Sequence, residues 1–184
     1  DQPRSRGLGD VYKRQGLSFH GGLIGVIVSL YIFSIKQKIS FLALMDSIAL
    51  AMPIGLGLVR IGNFLNGELF GRPTNGEWGF IFPTDPLGIP RHPSQLYECF
   101  LEGIILFFVL NYIAKQNVAK GVTASALLIF YGLFRFIVEF FRQPDMHIGL
   151  IAFDLSMGQI LSLPMMIIGL VLVVVFQRNN ATIS

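Results

Sequence analysis

Charge is what this sequence has least of. Only 14% of its 184 residues are Asp, Glu, Lys or Arg, against 53% hydrophobic, and the mean hydropathy is +0.63. A soluble domain carries roughly 25% charged residues, so this chain lacks the polar material to cover a water-facing surface. Cysteine is nearly absent. The single residue, Cys99, excludes an internal disulfide and a cysteine-based metal cluster, and its place in an apolar run marks it as packing. The net charge of +3 is too small to argue for a nucleic-acid partner. Also missing are a phosphate-binding P-loop, a nucleotide fingerprint, a GxSxG elbow and an HExxH helix. The inventory calls for no metal and no cofactor.

Long apolar runs are abundant instead. The clearest is Ile160 to Phe176, broken only by Ser162, Pro164 and Gly169, and long enough for the ~17–25 residues a spanning helix needs. Five such segments can be marked: Leu17–Ile35, Phe41–Leu65, Leu96–Ile113, Val122–Phe141 and Met157–Phe176. Spans of this length must be helical, because lipid offers no partner to a backbone polar group. The expected fold is therefore all-α, a polytopic transmembrane bundle of about five spans. The long connector Gly67–Gln95, rich in Gly and Pro, is expected to form an ordered external loop or cap between the second and third spans.

Residues 1–15 are out of character. The stretch is polar and aperiodic, and lacks the apolar region of a signal peptide. It reads as foreign to the gene, with the native N-terminus missing. Residues 16–178 form the expected membrane domain and 179–184 a cytoplasmic tail. Lys36, Lys38, Lys115, Lys120 and Arg178 fall on one side if the spans alternate, and the positive-inside rule makes that side cytoplasmic. Arg72, Arg91 and Arg142 lie opposite, so lysine alone carries the bias. Ser156 with Gln159 is a capping-box pattern opening the last helix. Pro93 suits the start of the third helix, and Pro144 suits a stop after the fourth.

Ionisable groups at membrane depth are rare, costly and usually functional. Three groups of them stand out. In Val59 to Gly71, Arg60, Asn63 and Asn66 recur every three residues, as along one helical face, with Glu68 just beyond. A guanidinium fork beside amides suits a phosphate, being planar, permanently charged and bidentate. An arginine snorkelling to the interface, with asparagines closing a helix, is the simpler alternative. Gly62, Gly67 and Gly71 suit close approach of a substrate or another helix. On the fourth span Tyr131, Arg135, Glu139 and Arg142 share a face, although Arg135 and Glu139 can equally pair with each other. His20, followed by Gly21 and Gly22, opens the first span. It is either an interface residue or a general base titrating near neutral pH. Glu98, Glu102 and Asp46 are candidates to balance the arginines. Trp78 is a candidate to rest on lipid headgroups.

These residues carry a resemblance. Arg60-Ile61-Gly62-Asn63-Phe64-Leu65-Asn66-Gly67-Glu68, ending at Gly71, is similar to the signature of the bacterial prolipoprotein diacylglyceryl transferases. Further blocks resemble that family: His20 to Leu23, His92 to Glu98, Tyr131 to Arg135, Val138 to Asp145, and Ser156 to Gln159. They stand in family order over nearly all of residues 16–176. The resemblance implies a reaction in the bacterial inner membrane, the first step of lipoprotein maturation. The diacylglyceryl group of phosphatidylglycerol passes to the thiol of a preprolipoprotein lipobox cysteine, and glycerol phosphate is released. It implies that Arg60 binds the lipid phosphate, with Asn63, Asn66, Glu68 and Gly71 shaping the site and Tyr131 and Glu139 beside it. It also implies that Arg135 stabilises the departing phosphate and that His20 is a candidate to deprotonate the thiol. Val59 stands where the signature usually has Gly, and the family has roughly two further helices ahead of the His-Gly-Gly block. An anion or lipid transporter with Arg60 and Arg135 along its pathway is the competing expectation. A non-catalytic scaffold with paired charges is a third.

Overall fold

A computed structural model describes residues 19–143, 150–152 and 155–183, with side chains described for 21–143 and 155–179. Pro144 lies outside them. Five helices follow one another: α1 (Phe19–Gln37), α2 (Phe41–Leu65), α3 (Ser94–Ala114), α4 (Val122–Val138) and α5 (Met157–Ile183). Three of them, α2, α3 and α5, are long and apolar enough to cross a membrane, while α4 and the described part of α1 are shorter apolar helices. An inverted distribution of side chains goes with this. Ile167, Leu170, Val171 and Val174 are exposed on α5, whereas Ser156, Gln159 and Ser162 of the same region are buried. Lipid solvates the first set, so the fold inverts the rule of a soluble core. The buried hydroxyls of Ser125 and Ser162 satisfy themselves by donating to the Gly121 and Gly158 carbonyls at 2.7 Å.

The chain divides into two packing units, one ending at Leu44 and one beginning at Met45. In the first, α1 ends in a Schellman motif. The Ile39 N–H donates to the Ser34 carbonyl and the Lys38 N–H to the Ile35 carbonyl, with Lys38 at φ 54°. Lysine occupies a left-handed position that glycine usually fills, so this reversal is less legible than most.

In the second unit, α2 ends in the same motif with the expected residue. Gly67 (φ 67°) donates to Phe64, and Glu68 to Asn63. The predicted bounds of α2 hold at both ends. α3 begins after Pro93 as expected, but its middle, Cys99–Ile105, is a π-helix. Such widened turns concentrate at functional sites. Gly57 on α2 and Gly103 in the π stretch meet so closely that a Cβ on Gly103 would stand 2.9 Å from the Gly57 Cα. α4 packs along α5 on small residues in the same way, with Gly132 against Ser162 and Met166, and Gly169 against Ser125 and Ile129. Leu106, Leu110, Ala126 and Phe134 form the apolar core between α3 and α4. The capping box is present: Ser156 N–H donates to Gln159 Oε1 at 3.0 Å, and Gln159 N–H to Ser156 Oγ at 3.2 Å.

One helix boundary needs correction. The fourth helix was expected to reach Phe141, but α4 stops at Val138, ahead of any proline. Residues 141 and 142 instead pair with the cap, Arg72 N–H donating to the Phe141 carbonyl and Gly71 bridging Arg142. The last connector, for which the sequence offered no element, carries a short hairpin of β1 (Leu150–Ala152) and β2 (Leu155–Ser156).

Asp46 balances no arginine among the described residues. Its carboxylate accepts the Gly121 N–H at 2.7 Å and the Ala124 N–H at 2.8 Å, so a residue of α2 caps the N-terminus of α4. Asp46→Ala is expected to lower stability by about 1–2 kcal/mol, and Asp46→Asn by less, read from thermal unfolding in detergent. An Asp46→Ala midpoint equal to the wild type would refute the cap.

Residues 67–95 form the expected ordered cap. Phe82, fully buried, packs with Phe64, Phe70 and Phe80. Arg91 grips Asp85 with Nε to Oδ2 at 2.7 Å and Nη2 to Oδ1 at 3.1 Å, and lies over the Phe70 ring. The Arg91 hydrogen bond holds the Asp85 carboxyl below its ordinary pKa. Gln95 Nε2 donates to the Glu68 carbonyl at 2.6 Å and Ser94 Oγ to the Leu69 carbonyl, so the cap is tied to the start of α3. Trp78 projects from it, 85% exposed.

Candidate active site

Arg60 lies five residues before the end of α2, Glu98 and Glu102 lie in the first turns of α3, and Arg135 lies near the end of α4. All four stand at the end of the second unit that carries the cap. There Glu98, with its side chain 1% exposed, meets three arginines from separate stretches of chain. Its Oε2 is 2.5 Å from Arg60 Nε, and its Oε1 accepts from Arg135 Nη1 at 2.9 Å and Arg142 Nη1 at 3.3 Å. The fully buried Glu102 adds longer contacts, 3.7 Å to Arg60 Nη2 and 3.9 Å to Arg135 Nη1. Glu139 completes the group at 3.0 Å from Arg135 Nη2.

Three guanidinium groups thus face three carboxyl groups in a membrane-embedded bundle. The carboxyl side chains of Glu98 and Glu102 are sealed inside, while the side chains of Arg60, Arg135 and Arg142 retain 12–15% exposure. The two carboxyl groups are therefore more deeply buried than the three arginine side chains that surround them. Several contacts are short without being well-aimed hydrogen bonds: Arg60 Nε, Glu98 Oε2 and Glu139 Oε2 make ion pairs but no hydrogen bond of good geometry among the described residues. Guanidinium groups with N–H donors to spare suit an anion.

The sequence-predicted residues distribute unevenly around this centre. Arg60, Arg135 and Glu139 are in it, and Tyr131, half-buried, packs one turn below Arg135 against the apolar core. Asn63 is half-buried one turn beyond Arg60. Asn66 does not continue the helical face as expected: α2 ends at Leu65, and Asn66 is its exposed C-cap residue. Glu68 is exposed at the start of the cap. Gly71 is buried at a crossing of three backbones, where a Cβ would meet the Phe141 carbonyl at 2.5 Å and the His92 carbonyl at 2.6 Å. Gly62, expected to admit a close neighbour, has none within 4 Å of where a Cβ would stand. His20 is the second residue of α1, in the other unit, and its side chain lies outside the described residues. Arg142 and Glu98, absent from the predicted site set, are central to it.

Gly158, in the first turn of α5, lies against Glu139, and a Cβ there would stand 2.7 Å from the carboxylate carbon. Gly158→Ala is therefore expected to push Glu139 off Arg135 and to destabilise by about 1–3 kcal/mol, measured by thermal unfolding. Unchanged stability would show that Glu139 moves freely.

The fold and site together define a multi-pass helical membrane protein with a cluster of three arginines and three glutamates near one end of its bundle. The family model for prolipoprotein diacylglyceryl transferase matches residues 10–175, and the chain belongs to that family. Three similar proteins are named phosphatidylglycerol–prolipoprotein diacylglyceryl transferase. That of Geobacter sulfurreducens is 52% identical over 165 residues, covering 90% of this chain and 63% of its own length. That of Rickettsia felis is 55% identical over 157 residues, covering 84% and 60%. That of Mannheimia succiniciproducens is 50% identical over 170 residues, covering 92% and 63%. The chain spans about three-fifths of the length of these curated relatives.

Proposed function

We propose that this chain carries the phosphatidylglycerol headgroup site of a diacylglyceryl transferase acting on the lipobox cysteine of preprolipoproteins in the bacterial inner membrane. The observation that carries the reading is the convergence of Arg60, Arg135 and Arg142 on one buried carboxylate, each arginine side chain keeping some exposure.

That geometry supports the following chemistry. A thiolate sulfur attacks the glyceryl carbon next to the phosphate, a C–S bond forms, and the C–O bond breaks. The electron pair stays on the phosphate oxygen, and glycerol phosphate leaves. Positive charge fixed beside the oxygens that gain it lowers the barrier, so Arg60 binds the phosphate and Arg135 stabilises its departure. Asn63, Asn66 and Glu68 shape the headgroup pocket, and Gly71 holds the cap beside it. Tyr131 and Glu139 steady Arg135. The thiol proton must go to a base, since the thiolate is the nucleophile, and His20 is the proposed acceptor. The lysine bias of the connectors supports a cytoplasmic C-terminus.

The test is thioether formation on a lipobox peptide supplied with phosphatidylglycerol vesicles and the complete gene product, followed by mass spectrometry. A peptide gaining one diacylglyceryl group, with equimolar glycerol phosphate, is the expected result. No thioether at saturating lipid would end the enzyme reading. Family membership leaves the transporter reading without a supporting observation.

A further inference from the structure

We propose that Glu102 is a charge-balancing residue that limits how tightly Arg60 and Arg135 hold an anion, and so favours release of the phosphate set free by the reaction; this rests on the headgroup reading above. Glu102 has no exposed surface, and neither of its carboxylate oxygens makes a hydrogen bond among the described residues. Its contacts with the two arginines, 3.7 and 3.9 Å, are about an ångström longer than those of Glu98 at 2.5 and 2.9 Å. Glu98 therefore fixes where the guanidinium groups point, whereas Glu102 contributes charge without clamping them. The adjoining Gly103 is pressed against the Gly57 backbone, which pins the π stretch to α2.

In its ionised form Glu102 acts at this range through its field, which falls off slowly where water is excluded. An anion held by the arginines feels it as repulsion in proportion to its own charge. The phosphodiester of phosphatidylglycerol carries one negative charge. The monoester that leaves carries close to two at about pH 7, its second pKa being about 6. Glu102 therefore opposes the product about twice as strongly, in free energy, as it opposes the substrate. This loosens the species that has to depart.

The experiment measures binding rather than turnover. The complete gene product is placed in phosphatidylcholine nanodiscs, and the affinities of glycerol phosphate and of short-chain phosphatidylglycerol are measured by calorimetry. Glu102→Gln keeps shape and removes charge. Glu102→Met, neutral and of similar length, is the second variant should the first not fold. Glu102→Asp retains the charge. Glycerol phosphate is expected to bind about tenfold tighter to either neutral variant, which is about 1.4 kcal/mol, and phosphatidylglycerol only about threefold tighter. Glu102→Asp should keep the wild-type ratio of the two affinities. Unchanged or weakened binding of both ligands in the neutral variants, or equal tightening of both, would overturn the proposal, since a merely structural role loosens or spares both alike. If the wild type binds neither ligand, the headgroup reading itself falls, and this inference with it.

Discussion

Replacing Arg60 with lysine is expected to reduce diacylglyceryl transfer by about 10²–10³-fold, the cost typical of removing one well-placed donor to a developing oxyanion. Net charge is unchanged by this substitution, so the loss would come from geometry. Arg60 uses Nε on Glu98 and Nη2 towards Glu102, and a planar fork can hold both while offering its remaining N–H groups to phosphate. A lysine ammonium is a point donor and cannot sit in both places. The loss should appear in kcat/KM for phosphatidylglycerol while the protein remains folded, which separates it from collapse of the cluster. Near-normal turnover would remove Arg60 from the phosphate site.

Glu98→Ala is expected to have the largest effect on stability, about 3–5 kcal/mol, because deleting one member of a buried ion pair leaves its partner's charge uncompensated. Three guanidinium groups meet Glu98, and Glu102 and Glu139 can neutralise them only in part, at their present distances. Transfer activity should fall with stability, since Arg60 and Arg135 lose the group that holds them together. Removing Arg142 as well should recover part of the loss, and the double-mutant cycle measures that coupling. A Glu98→Ala protein within about 1 kcal/mol of the wild type, on the order of a surface pair, would be incompatible with the three-arginine contact.

The two kinds of effect map onto what could be read in advance. Arg60 stands out in the chain because an arginine among Val59, Ile61 and Leu65 breaks an apolar run, and that anomaly is local. The bounds of Phe41–Leu65 and the Ser156–Gln159 capping box are local too, and both appear as expected. Glu98 is visible in the sequence only as an acid out of place. Its partners lie 37 to 44 residues away in Arg135 and Arg142, and 38 residues back in Arg60. Asp46 is similar, a candidate partner for an arginine that is found instead on the Gly121 and Ala124 amides.

The sequence by itself determined that this is a membrane protein, where its helices run, and which polar residues are too costly in lipid to be incidental. Composition and periodicity decide these matters residue by residue, within a few turns of helix. The tertiary structure alone decided that Arg60, Arg135 and Arg142 share one carboxylate, that α4 gives up its last turn to the cap, and that Glu102 lies fully buried beside Arg60 and Arg135. Those outcomes depend on where helices cross, and the crossings are set by glycines such as Gly57 and Gly103 meeting across space. No local pattern records which glycine meets which.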